Sequence, residues 1–335
     1  ITCKNGYIHV LDALLMPEVN MAQYIRNNGN LSTFNRLMDR FSAPYADASL
    51  TTEYKTLHQD ELVKDGVLDN GFTVNDSLYV RRYFSRQSGF ANLYDPQNLA
   101  VPSNEALILD PNWNSYETAG NANFDMAAMF VPTNKAMEEY FSSDPEARGN
   151  FLYKRYGIWD SVPNDIAALF LNAHMKYSFL ESLPSRFDGL KNESLDEMFI
   201  KKEDVDSAKV TTNGAVYMTN KVYPPVELSS VMAPVLVRED TKIFNYPVKS
   251  SSGMGFDIYL RSMESLYNPG VVPPYTFIVP LDNAFDNYIY PAAQGYDFPE
   301  MLRFEYDSEF QTVRAIRYEY DVTTGAKGAM ISPSS

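Results

Sequence analysis

The stretch Phe130-Val131-Pro132-Thr133-Asn134-Lys135-Ala136-Met137-Glu138-Glu139-Tyr140 decides how the chain is read. An apolar run is stopped by Pro132, and Thr133 or Asn134 can cap the free N–H groups of a helix that begins at once. Ala136, Met137, Tyr140 and Phe141 share one face of that helix. The pattern predicts a strand-to-helix corner. It recurs at Phe277-Ile278-Val279-Pro280-Leu281-Asp282-Asn283-Ala284-Phe285-Asp286-Asn287-Tyr288, which shares Val-Pro, an Asn or Asp two residues past Pro, then Ala, an acid and Tyr. The corner is expected twice.

A second pattern also occurs twice. Asn5-Gly6-Tyr7-Ile8-His9-Val10-Leu11, with Pro17 downstream, is echoed by Asn213-Gly214-Ala215-Val216-Tyr217-Met218 with Pro224 and Pro225 downstream. Asn-Gly favours the two positive φ angles of a type I′ turn, and the flanks are β-prone, so each copy reads as a tight hairpin. On this reading Gly214→Val destabilises because Gly214 needs positive φ. The order hairpin, corner, hairpin, corner means that the chain is cut out of phase with its own repeat.

Between Pro17 and the first corner, Leu31, Phe34, Leu37, Met38 and Phe41 fall at helical spacing, with Asn30 as the expected cap. Residues from about 42 to 123 then turn dense in Asn, Asp, Ser and Tyr and read as a long insertion with short strands such as Ser77 to Phe84. After the corner, Asn164 is the expected cap of a helix whose face is Ile166, Leu169, Phe170 and Ala173. From Met301 to Val322, Leu302, Phe304 and Tyr306, then Ile316, Tyr318, Tyr320 and Val322, alternate with polar residues, predicting an amphipathic hairpin.

Composition limits the function. At 335 residues the chain is long enough for roughly two domains and a sizeable core. A net charge of −15 is the wrong sign for gathering nucleic-acid phosphates or anionic lipid headgroups. With 24 Tyr and 20 Phe it is too aromatic for a disordered chain. The single Cys3 excludes an internal disulfide, and no apolar run is long enough to span a membrane.

These residues resemble the fasciclin (FAS1) domain family. Val131-Pro132-Thr133-Asn134-Lys135-Ala136 is similar to the family's first signature, and Asn213-Gly214-Ala215-Val216-Tyr217 to its second. Asn5 to Asp12, with Leu14, Leu15 and Pro17, resembles the family's terminal strand, and Leu171-Asn172-Ala173-His174 the segment between the signatures. The resemblance implies an α+β fold: a FAS1-type wedge of two packed small sheets with a cluster of helices, in tandem modules. Residues 1–18 would end one module, 19–228 form a complete one with the insertion at about 42–123, and 229–335 start an incomplete or diverged third. It implies a non-enzymatic secreted or cell-surface protein, as in bacterial outer-membrane lipoproteins anchored outside this fragment, acting in adhesion or display through protein or glycan contacts. A carbohydrate-binding accessory protein of a glycan-uptake system is the alternative. Ala173 stands where adhesive members carry Tyr, so Val131, Pro132, Thr133, His174, Asn213 and Gly214 are assigned structural roles.

Chemistry is sparse in the sequence. There is no Gly-x-Ser-x-Gly elbow, no phosphate loop and no His-Glu-x-x-His, and His9, His58 and His174 are the only histidines. No cofactor or metal is expected; Asp65, Asp69, Asn75 and Asp76 around Gly66 and Gly71 read as a solvated turn before a calcium site. Binding candidates are the insertion's aromatics Tyr79, Tyr83, Phe84, Tyr94, Trp113 and Tyr116, whose competing role is the insertion's own small core.

Overall fold

The computed structural model describes residues 2–3, 6–7, 19–86, 93–112, 126–250, 276–293, 299–308, 310 and 312–331. The strands in chain order are β1 (Thr2–Cys3), β2 (Gly6–Tyr7), β3 (Ser42–Ala46), β4 (Tyr79–Tyr83), β5 (Ala127–Pro132), β6 (Met175–Lys176), β7 (Val205–Val210), β8 (Gly214–Thr219), β9 (Tyr288–Ile289), β10 (Glu300–Asp307), β11 (Thr312–Asp321) and β12 (Ala326–Ile331). Helices alternate with several small sheets, an α+β arrangement. The chain forms two compact units, Ile1–Glu139 with Val162–Tyr223 and Tyr140–Ser161 with Pro224–Ser335.

In the first unit the main sheet runs β6-β5-β8-β7. The corner strand β5 and the Asn-Gly strand β8 lie side by side in parallel, Ala127 opposite Gly214 through Pro132 opposite Thr219. Because the sheet is covered on both faces, β5 is an unbroken apolar run, and Ala128, Met129, Phe130 and Val131 are all fully buried. On one face Phe130 stacks on its cross-strand neighbour Tyr217 at 4.9 Å, and Phe187 meets both rings edge-on. Leu190, Met198, Ile200 and Tyr223 complete that core.

The corner forms as expected. The Thr133 N–H extends the ladder to the Thr219 carbonyl at 2.9 Å, and its Oγ1 accepts from the Ala136 N–H at 3.2 Å. Thr133 therefore caps the helix Asn134–Tyr140. Asn134 points elsewhere: its Oδ1 accepts from the Thr33 N–H at 2.9 Å, serving the start of the helix Ser32–Asp39. That helix has no cap from Asn30, which lies in a 3₁₀ turn whose N–H is held by Asn28. Asn164 is likewise the first residue of its helix, Asn164–Asn172, and its amide side chain joins Arg40 and Glu105.

Asn213-Gly214 does terminate a hairpin between β7 and β8, but neither residue has positive φ. The type I′ expectation is corrected, and the reason for glycine is tertiary. A Cβ on Gly214 would lie 2.3 Å from the Ala127 carbonyl oxygen and 2.7 Å from Met21 Sδ. Asn213 acts as a bolt: Oδ1 accepts from the Met21 N–H at 2.9 Å and Nδ2 donates to the Pro111 carbonyl at 2.9 Å. The earlier Asn5-Gly6 copy pairs Thr2 with Tyr7 and Cys3 with Gly6; Asn5 lies outside the described residues.

The insertion is partly core. β3 and β4 pair along their lengths, and the helices Ala48–Leu57 and Gln59–Asp65 follow β3. Leu107 and Leu109 are fully buried, so the segment returns to the body of the unit.

The second unit contains the helices Asn150–Tyr156, Ala233–Val237 and Lys242–Ser250, and a sheet ordered β12-β11-β10-β9. The expected tail hairpin is β10 with β11, Glu300 opposite Glu319 through Asp307 opposite Thr312, with β12 added outside it. The second corner departs from expectation. Residues 276–281 are not a strand, Ile278 is 84% exposed, and only a 3₁₀ turn, Asp282–Phe285, follows. Asp282 caps a different helix, accepting from the Ile243 N–H at 2.9 Å.

Candidate binding site

The edge strand β6 places a lysine where apolar residues dominate. Lys176 stands opposite Ala128 in β5 and is buried. Its Nζ lies 2.9 Å from Glu181 Oε2 and 3.1 Å from Glu193 Oε1, which also accepts from the Tyr177 N–H at 2.9 Å. Burial works to lower the Lys176 pKa, but the bonds to Glu181 and Glu193 outweigh it, holding the ammonium above its ordinary value.

The chain from Phe187 to Ile200 folds over the same sheet face. Phe187, Leu190, Met198 and Ile200 are its buried anchors. Between Leu190 and Met198 the backbone makes a small hairpin, with the Met198 N–H on the Leu190 carbonyl and the Asn192 N–H on the Asp196 carbonyl, both at 2.8 Å. Asn192 Oδ1 clamps the tip by accepting from the N–H groups of Ser194 and Asp196, each at 2.9 Å. That clamp holds Leu195 at φ +68°, a left-handed conformation that leucine rarely takes, with its side chain 76% exposed.

Lys176, Glu181, Arg186, Leu190, Lys191, Glu193 and Leu195 line an open pocket of about 500 Å³. Arg186 and Lys191 are exposed and have no ion-pair partner among the described residues. The pocket thus offers free cations beside a lysine already held by two carboxylates. No protein-family model, curated protein or solved structure matches the chain. The site must be read from its own chemistry.

The aromatic candidates do not converge. Alternation along β4 puts Tyr79, Arg81 and Tyr83 on one face and Val80 and Arg82 on the other. Tyr83 is 4% exposed, its hydroxyl donating to Asp39 at 3.1 Å and accepting from Arg26 at 3.1 Å; burial, then the Asp39 charge, raise its pKa. Phe84 is half-buried, with its backbone tied to Phe41 and Leu107. Tyr79 and Tyr94 are exposed, but the Tyr94 carbonyl accepts from Tyr45, which carries Arg82 over its ring and so belongs to the face opposite Tyr79. Trp113 and Tyr116 lie outside the described residues.

The residues assigned to structure take these places. Val131 is fully buried and Pro132 ends β5. His174 is fully buried; its Nδ1 bonds the Phe170 carbonyl at 2.8 Å, and its Nε2 accepts from the Tyr223 N–H at 3.1 Å. The Tyr223 N–H fixes the tautomer, with the proton on Nδ1. Burial pushes the ring's pKa down to about 4 against a smaller opposing effect of the Phe170 bond. In the acidic turn, Asp76 accepts from the Thr73 N–H and hydroxyl at 2.7 and 2.8 Å, and among the described residues no cluster of His, Cys, Asp or Glu is arranged to hold a metal.

The pocket residues escaped the sequence reading because they come from an edge strand and a loop whose charges look like ordinary surface. One signal was available: Lys176 follows the buried run Ala173-His174-Met175 in a segment that must pack.

Proposed function

We propose that this chain is a non-enzymatic extracellular module of the fasciclin type, used in adhesion or surface display through glycan or protein contacts. The observation that carries the binding role is the open pocket over the β6–β5 face, with Arg186 and Lys191 unpaired at its wall. Pockets of a few hundred Å³ with a few convergent polar groups are the usual form of a ligand site. The fasciclin reading draws support from the parallel pairing of the two signature-like strands and from the helix that springs from the Pro132 corner.

Glycoside hydrolysis would need two facing carboxyls with the glycosidic oxygen between them. Glu181 and Glu193 are close, but the Lys176 ammonium bridges them and occupies that position. The net charge of −15 speaks against nucleic acid as the partner. Among the described residues no helix is long and apolar enough to cross a membrane.

The test compares the intact chain with an Arg186→Ala/Lys191→Ala variant on a glycan array and in a pull-down of cell-surface proteins. Capture that the double substitution abolishes is the expected result. Capture that it leaves unchanged, or no capture by the unaltered chain in either assay, refutes the assignment of binding to this pocket.

A further inference from the structure

Resting on that reading, we infer that the pocket recognises a carboxylate-bearing sugar, with Arg186 and Lys191 holding the acid group and Glu181 and Glu193 accepting from the ring hydroxyls. The charge count within the pocket is the first argument. Three cations, Lys176, Arg186 and Lys191, face two carboxylates, Glu181 and Glu193, leaving one positive charge. One excess charge matches a uronic-acid carboxylate better than a phosphate dianion or a run of acidic side chains.

The division of labour is the second. Lys176 is buried and tied to both glutamates, so it acts by fixing their positions rather than by reaching a ligand. Arg186 and Lys191 are exposed and unengaged, and the planar guanidinium fork suits a carboxylate held by two parallel hydrogen bonds. A sugar supplies hydroxyl donors for the remaining glutamate oxygens, whereas an acidic peptide would press further carboxylates against them. Leu195, held out on its strained turn, gives an apolar wall for the face of a sugar ring.

The experiment is isothermal titration calorimetry on the whole chain with three probes: a trisaccharide of galacturonic acid, the neutral galactose trisaccharide and tri-glutamate. The acidic trisaccharide should bind at least about tenfold tighter than the neutral one, equivalent to about 1.4 kcal/mol. Arg186→Ala/Lys191→Ala should erase that preference, and both residues are exposed, so folding is preserved. Added salt should weaken the acidic sugar and spare the neutral one. Equal affinity for the two sugars, both lost in Leu195→Asp, would overturn the carboxylate assignment while leaving a glycan-binding pocket. Preference for tri-glutamate would overturn it in favour of protein contacts, and heat from none of the three would overturn it outright.

Discussion

Two stretches of this chain begin alike and end differently. At Val131-Pro132 the apolar run is the interior strand β5, with β6 on one edge and β8 on the other, and a capped helix follows. At Val279-Pro280 the same pattern remains irregular, with Ile278 in solvent and Phe277, Val279 and Leu281 beside Val231, Pro234 and Val235 along a shallow groove. The local code is nearly the same. The difference lies in partners: β5 is paired on both edges, by β6 and β8, whereas among the described residues 276–281 pair with no strand. A strand is stabilised by the edges it is given, so the motif supplies a capacity for a corner and the neighbouring strand realises it.

If the parallel β5–β8 pair is what separates the corners, wedging it open should have the largest effect. Gly214→Val should cost about 3 kcal/mol in urea unfolding, since backbone oxygen at 2.3 Å leaves no room for a Cβ. Near-unaltered stability would refute the pairing.

His174 braces the other edge, because its carbonyl accepts from the Phe130 N–H at 2.8 Å. Its ring is neutral when folded, with a pKa of about 4 against 6.5 unfolded, so the unfolded state takes up the proton first as pH falls. Stability is therefore complete above about pH 6.5 and declines through the window down to about 4, by about 3 kcal/mol. Asp204 is held low by Lys221 and Tyr223 against its own burial, and gives way below that window. A flat profile between pH 7 and 4.5 would contradict the buried neutral histidine.

Asn134→Ala removes an acceptor that joins the corner to the helix Ser32–Asp39, and about 1 kcal/mol of destabilisation is expected by thermal unfolding. The matching exchange in the second corner, Asp282→Ala, tests whether its cap on the helix Lys242–Ser250 has a similar value. The smallest effect belongs to Ile278→Ser, within about 0.5 kcal/mol, because an exposed isoleucine loses nothing on becoming polar. A loss as large as that of a core residue would show that the second corner is packed after all.

Much of the frame was legible in the residues. Pro132 stopping an apolar run, a cap at Thr133 or Asn134, the helical faces at Phe34 to Met38 and Ile166 to Phe170, and the alternating tail all follow from local backbone and solvation physics. Asn30 does not cap because the acceptor serving that helix start, Asn134 for the Thr33 N–H, stands 101 residues away; Asn164 does not cap because it is already the first helical residue and its amide is taken by Arg40 and Glu105. Gly214 was read as a turn glycine, although its need comes from a strand brought against it by the fold.

The candidate site was almost invisible in the sequence. Tyr79 and Tyr83 share a face of β4, yet one is exposed and the other buried on Asp39, a distinction made by a helix earlier in the chain. Lys176, Arg186 and Lys191 converge only because Leu190, Met198 and Ile200 pin a loop onto the sheet. Sequence by itself determined the first strand-to-helix corner, which helix faces are apolar and the net charge of −15, since these depend on neighbours within a turn or on simple sums. Tertiary structure alone decided which corner became a corner, why Gly214 must be glycine and where the free cations meet, because each rests on contacts between segments far apart in the chain.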